Sequence, residues 1–191
     1  MSTHEYPTLT SLTEAQEEEY LCNLERDTFY AAFVLRKLIE CKKIAASFAD
    51  KEINLRCYQP REIIGDLSLH DIDKHYDLSE KRSYMETQKV GFLCNQLVHS
   101  KIFTFYFNST EASEQQEAGD QIVGFFINSD HTSKKVLFLV LWADWIKILS
   151  STKSYHIDFM YKFKNEDGST TEHRLNTGAD KELYNKLTRD N

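Results

Sequence analysis

Val136, Leu137, Phe138, Leu139, Val140 and Leu141 form an unbroken apolar run that Trp142 extends, and this run restricts the fold more than any other stretch of the chain. A strand with one wet face alternates apolar and polar side chains, whereas a run without alternation needs cover on both faces. A membrane crossing needs about 20 apolar residues, so a segment this short reads as a buried strand. The rest of the chain must therefore supply neighbouring strands and two covering layers.

Strand signals are dense in the second half. Lys101 to Phe107, Gln121 to Asn128 and Lys135 to Trp142 are rich in aromatic and β-branched residues and are separated by polar stretches, the composition of a pleated, half-buried surface. The last of these is the expected central strand. Earlier, Ile53, Leu55 and Cys57 alternate with Asn54, Arg56 and Tyr58 and stop at Pro60, which predicts a short strand. From Arg61 to Tyr76 no period is clean, so a loop with a short helical turn is expected. Tyr155, Ile157, Phe159, Tyr161 and Phe163 alternate with His156, Asp158, Met160, Lys162 and Lys164, predicting a strand whose aromatics point inward. Glu166, Asp167 and Gly168 then read as a three-residue hairpin loop with Gly168 left-handed. That loop sets the register, placing Phe163 opposite Thr171, Lys162 opposite Glu172 and Phe159 opposite Leu175.

Helical signals precede most of these strands. Thr13 and Gln16 have capping-box spacing, and Leu21, Leu24, Thr28, Ala31, Leu35, Leu38 and Ile39 recur at threes and fours, predicting a long helix that runs to about Ser47. Phe29, Phe33 and Val34 widen the stripe, so its second half is expected to be buried over more of its circumference. Glu17, Glu18 and Glu19 near the start, and Arg36, Lys37, Lys42 and Lys43 near the end, follow the helix dipole. Ser79 is the expected cap of a second helix from Glu80 to about His99, with Met85, Gln88, Phe92, Leu93, Gln96 and Leu97 facing inward. A terminal helix over Asp180 to Thr188, capped by Thr177, would dock through Leu183, Tyr184 and Leu187. Together these predict one α+β domain over residues 1–191, with 1–12 a flexible segment. The long N-terminal helix and the second helix pack on a mainly antiparallel sheet of about five or six strands from the C-terminal half.

Charge and cysteines bound the function classes. The formal net charge is −7, so the molecule repels phosphate polyanions, which argues against nucleic acid, and attracts basic proteins. Cys22, Cys41, Cys57 and Cys94 form no CxxC pair and no zinc pattern, and read as buried thiols of a cytoplasmic protein. Met1 to Thr10 lack the basic start and apolar core of a secretory signal, and no run suggests a membrane span.

Few residues carry chemistry. His70, Asp71, Asp73 and His75, with Asp77, offer metal-ligand types in one short stretch. A calcium loop would need a glycine inside it and a closing glutamate, where this chain has Arg82. The group reads as a solvated loop, with no metal expected, and is the place to look if a metal is found. His156 and Asp158 share the polar face of the predicted strand without a nucleophile elbow, and Asp130 and His131 read as turn residues. No glycine-rich phosphate loop exists, so no cofactor is expected. Trp142, Asp144 and Trp145 at the end of the central strand are a weak binding candidate, two indoles around a carboxylate. So are Glu111, Glu114, Glu117 and Asp120, which lie between two apolar strands without a lysine or arginine. Thr110 would cap a short helix there, ended by Gly119.

The resulting expectation is a non-catalytic, acidic protein-binding or regulatory module, of inhibitor or immunity type, for a basic partner. Two other readings stay open: a small hydrolase using the loop histidines and aspartates, and a structural subunit of a homo-oligomer whose aromatic strand residues pair between copies.

Overall fold

The structure, a computed structural model, describes residues 12–61, 72–110 and 119–189, and of 109, 110, 119 and 120 the backbone only. Helix α1 (Glu14–Glu40) opens on the expected capping box: Thr13 Oγ1 accepts from the Gln16 N–H, and Gln16 Oε1 accepts from the Thr13 N–H at 3.0 Å. It stops earlier than Ser47 because Lys42 takes φ 51°. The Lys43 N–H bonds the Leu38 carbonyl and the Lys42 N–H that of Ile39, a left-handed helix end that glycine usually marks. No glycine advertises it here. Only Thr28, Ala32 and Leu35 of α1 are buried. The expected broad burial of its second half fails at Phe33, which is 48% exposed, and at Tyr30, 69% exposed.

A short helix α2 (Ala46–Asp50) leads into strand β1 (Glu52–Tyr58), and the Ile72–His75 turn, α3, falls inside the expected loop. The predicted helix from Glu80 to His99 is divided. Glu80–Arg82 is a single 3₁₀ turn without a side-chain cap from Ser79, β2 follows over Tyr84–Lys89, and only α4 (Val90–Val98) is helical. β2 pairs antiparallel with β1 from Glu52 opposite Lys89 to Cys57 opposite Tyr84. This ladder satisfies one edge of β1, a tertiary gain that overrides the weak stripe through Met85 and Gln88. The genuine helical stripe starts later, with Val90, Leu93, Cys94 and Leu97 buried.

Strands β3 (Ser100–Thr110), β4 (Gly119–Ser129) and β5 (Leu137–Leu141) complete a five-stranded sheet in the order β2-β1-β5-β4-β3. The fold is α+β with a mainly antiparallel sheet, and β5 is its central strand with Leu137 to Val140 buried. Phe138 and Val140 join the helix-side core with Leu35, Phe48, Leu93 and Trp145. Leu137 and Leu139 join Tyr58, Ile72, Tyr76 and Phe126 on the other face. Gly124 lets two strands approach closely, since a Cβ there would lie 2.4 Å from the Val140 carbonyl oxygen. Thr110 pairs with Gly119 in the β3–β4 ladder, so neither residue bounds a helix; residues 111–118 lie outside the described residues.

After β5 the chain turns into α5 (Trp142–Ser151), a helix that starts at Trp142, where the predicted strand was to end. Tyr155 closes a 3₁₀ turn, and the predicted Tyr155 strand begins only at Phe159, as β6 (Phe159–Lys164). β6 and β7 (Thr170–Leu175) form a separate two-stranded sheet in the predicted register, Phe163 with Thr171, Lys162 with Glu172 and Phe159 with Leu175. Gly168 sits at φ 82°, as the loop requires. Helix α6 (Lys181–Arg189) follows, and Tyr184 meets Phe159 edge-on at 4.9 Å. Thr177 does not cap it: its hydroxyl donates to Asp158 Oδ2 at 2.9 Å, while the Asn176 side chain accepts from the Gly178 and Ala179 N–H groups. Among the described residues no helix is long and apolar enough to cross a membrane.

Candidate binding groove

The first turns of α1 overhang the edge of the sheet at β3. Glu14, Glu18, Leu21 and Glu25 recur at fours and threes and so share one flank of the helix, with Glu17 and Cys22 beside them. That flank and Phe103, Thr104 and Phe105 of β3 enclose a groove of about 560 Å³. Its floor is aromatic and braced from below. Phe103 stacks on Phe125 at 5.2 Å, meets Phe105 at 5.3 Å and touches Phe29 of α1 at 4.8 Å. One wall carries four carboxylates and no cation.

Among the described residues β3 is the last strand of its sheet. Every second residue along it turns its N–H and C=O away from β4, so the groove adjoins a row of backbone donors and acceptors that an added strand can use. The groove thus combines carboxylates, half-buried rings and, among the described residues, an edge strand.

The residues singled out from sequence are distributed otherwise. Glu111, Glu114 and Glu117 lie outside the described residues, and Asp120 pairs through its backbone with Ser109 at the end of the hairpin. Trp142, Asp144 and Trp145 do not form a cage. They occupy the first turn of α5, where Trp145 is 1% exposed and both indoles stand edge-on to Phe125. Asp144 instead pairs with Lys147 at 2.9 Å. The strand end becomes a helix start because a second helix is needed to cover Phe125 and Val140.

Asp73 and His75 lie on α3, whereas His70 and Asp71 fall outside the described residues. Among the described residues no group of three or more possible ligands gathers. His156 and Asp158 precede β6 and do not share its polar face: His156 Nδ1 lies 2.9 Å from the Lys153 carbonyl, and Asp158 accepts from the Thr177 N–H and hydroxyl. Those two bonds hold the Asp158 carboxyl below the usual range, the backbone one most strongly. Asp130 and His131 sit in the β4–β5 turn, as expected, with the Ser133 N–H closing on the Ser129 carbonyl at 2.8 Å.

Of the groove glutamates, Glu17 and Glu18 drew attention in the sequence, and only as residues that suit a helix start. Glu14, Glu18 and Glu25 share a flank by their spacing, but nothing local indicates that β3 lies against it. Comparison with protein-family models, with curated proteins and with solved structures returned no match.

Proposed function

We propose that this protein is a non-catalytic binding module, and that the groove between α1 and β3 receives an extended, basic segment of a partner protein. The observation that carries the reading is the alignment of Glu14, Glu17, Glu18 and Glu25 along an aromatic floor beside an edge strand. A basic segment would extend the sheet through its backbone, set apolar side chains on Phe103 and Phe105, and direct lysines or arginines to the glutamates. The net charge of −7 favours the same partner at long range.

The test uses a peptide of alternating lysine and valine and the variant Glu14→Gln, Glu18→Gln, Glu25→Gln. All three glutamates are exposed, and surface substitutions of this kind change stability by about 0.5 kcal/mol or less, so the variant stays folded. We expect the association rate to fall severalfold at low salt and little at high salt, because counterions already screen the attraction there. An unchanged association rate at low ionic strength removes the groove from the binding surface. The same replacement at Glu111, Glu114 and Glu117 tells whether the β3–β4 connection belongs to that surface.

One observation favours the homo-oligomer instead. Tyr30 and Phe33 stand exposed one turn apart on α1, and sedimentation of wild type against Tyr30→Ser, Phe33→Ser separates self-association from partner binding.

A further inference from the structure

At the other end of α1, roughly 30 Å from the groove along the helix, the electrostatics reverse. A cavity of about 590 Å³ lies between the α1 terminus and the β6–β7 hairpin, lined by Lys42, Lys43, His156, Ile157, Asp158, Phe159, Met160 and Arg174. Lys42 and Lys43 are exposed, and among the described residues neither has a carboxylate partner. Arg174 is held in place from two sides: Nε donates to Glu172, and Nη1 to the Lys42 carbonyl at 3.3 Å. The one carboxylate in the wall, Asp158, turns both oxygens to Thr177, at 2.8 and 2.9 Å. Nδ1 of His156 meets the Lys153 carbonyl, and its Nε2 has no partner among the described residues.

Lys42, Lys43 and Arg174 line one cavity in a molecule of net charge −7, and among the described residues only Arg174 of the three carries a carboxylate, Glu172 on its Nε. The helix dipole suits lysines at the end of α1 but does not bring Arg174 to them from another sheet. We propose that this cavity binds a phosphate monoester, with the phosphate between Lys42, Lys43 and Arg174 and an apolar body against Ile157, Phe159 and Met160. Lysine ammonium and arginine guanidinium groups are the usual partners of a phosphate dianion. The volume lies within the range of small-ligand sites. Ligand would bridge the main body to the hairpin across the Ile44–His156 bridge.

The probes are phenyl phosphate, inorganic phosphate and phenol, titrated at constant ionic strength and followed by amide chemical shifts. Phenyl phosphate should bind saturably, with a dissociation constant of about 1 mM or tighter, inorganic phosphate several-fold more weakly, and phenol not at all. The variant Lys42→Gly, Lys43→Gln should weaken phenyl phosphate at least tenfold. Its unfolding temperature should hold or rise, because glycine takes the left-handed conformation of residue 42 without strain. Absence of saturation by phenyl phosphate overturns the proposal, as does undiminished affinity in the folded double variant. Equal affinity for inorganic phosphate removes the apolar half of the site and overturns the monoester assignment. Peptide binding in the groove is read separately and does not depend on either lysine.

Discussion

At the scale of single residues, the four thiols divide into two kinds that the sequence presented alike. All were expected to be buried, yet Cys22 and Cys41 are exposed on and just beyond α1 while Cys57 and Cys94 are buried. Burial pushes both buried thiols up to about 12, and for Cys57 the neighbouring Glu86 carboxylate adds to the effect. Only a thiolate reacts at a useful rate. At pH 8 a thiol reagent should therefore modify Cys22 and Cys41 promptly in the native protein, and Cys57 and Cys94 only after unfolding. Mass mapping of the labelled peptides decides it; prompt labelling of Cys57 would show that β1 and β2 are not paired as described. The contrast between Trp142 and Trp145 and the groove glutamates is of the same kind. A residue's chemical type names what it can do, and burial decides whether it does it.

At the scale of elements, the β6–β7 hairpin shows how a short turn can specify a ladder. Gly168 in the left-handed region fixes the loop, the loop fixes the register, and the register sets Lys162 opposite Glu172. Lys162 lies 2.7 Å from Glu172 Oε2, and Arg174 holds the other oxygen. Hydrogen bonds from Lys162 first, then Arg174, bring the Glu172 carboxyl down from its ordinary 4.5 to about 2. The folded-state value is depressed, so the contribution to stability is present above the unfolded value and disappears as pH falls from about 4.5 to about 2. Glu172→Gln should therefore be less stable than wild type at neutral pH and lose less on acidification. Unfolding curves recorded at a series of pH values check this; parallel acid limbs for the two proteins would show that the triad contributes nothing. Solvent screening keeps the effect small. α1 shows the converse case, because its left-handed stop falls on Lys42 and no residue type announced it.

At the scale of the whole molecule, the five-stranded sheet and the hairpin are unequal partners. β5 is buried from Leu137 to Val140 and flanked by β1 and β4, whereas β6 is half-buried or exposed along its length. The segment that leads into the hairpin is tied to the main body by the Ala45 N–H to the Tyr155 carbonyl at 2.8 Å, and the hairpin itself by Arg174 Nη1 to the Lys42 carbonyl at 3.3 Å. Opening the hairpin exposes little apolar surface, while opening β5 exposes both cores. Native-state hydrogen exchange should place β1, β4 and β5 amides at the global unfolding limit and β6–β7 amides well below it. Equal protection in both sheets would mean that the hairpin is an integral part of the core. Phenyl phosphate, if bound at the α1–hairpin junction, should raise hairpin protection selectively.

Local pattern by itself determined the α+β class, the capping box at Thr13, the central position of Val136 to Leu141, and the register of the last hairpin. Each of these depends on interactions within a few residues, or on a burial requirement that an unbroken apolar run cannot escape. The tertiary structure alone decided that Tyr84 to Lys89 is a strand, because its ladder partner β1 is about 30 residues away in the chain and a weak helical stripe yields to a paired edge. It alone turned Trp142 to Ser151 into a helix over Phe125, and ended α1 at Glu40. The groove belongs to this second group. Glu14, Glu18 and Glu25 suit any helix, Phe103 and Phe105 suit any strand, and only the packing of α1 against β3 makes one surface of them.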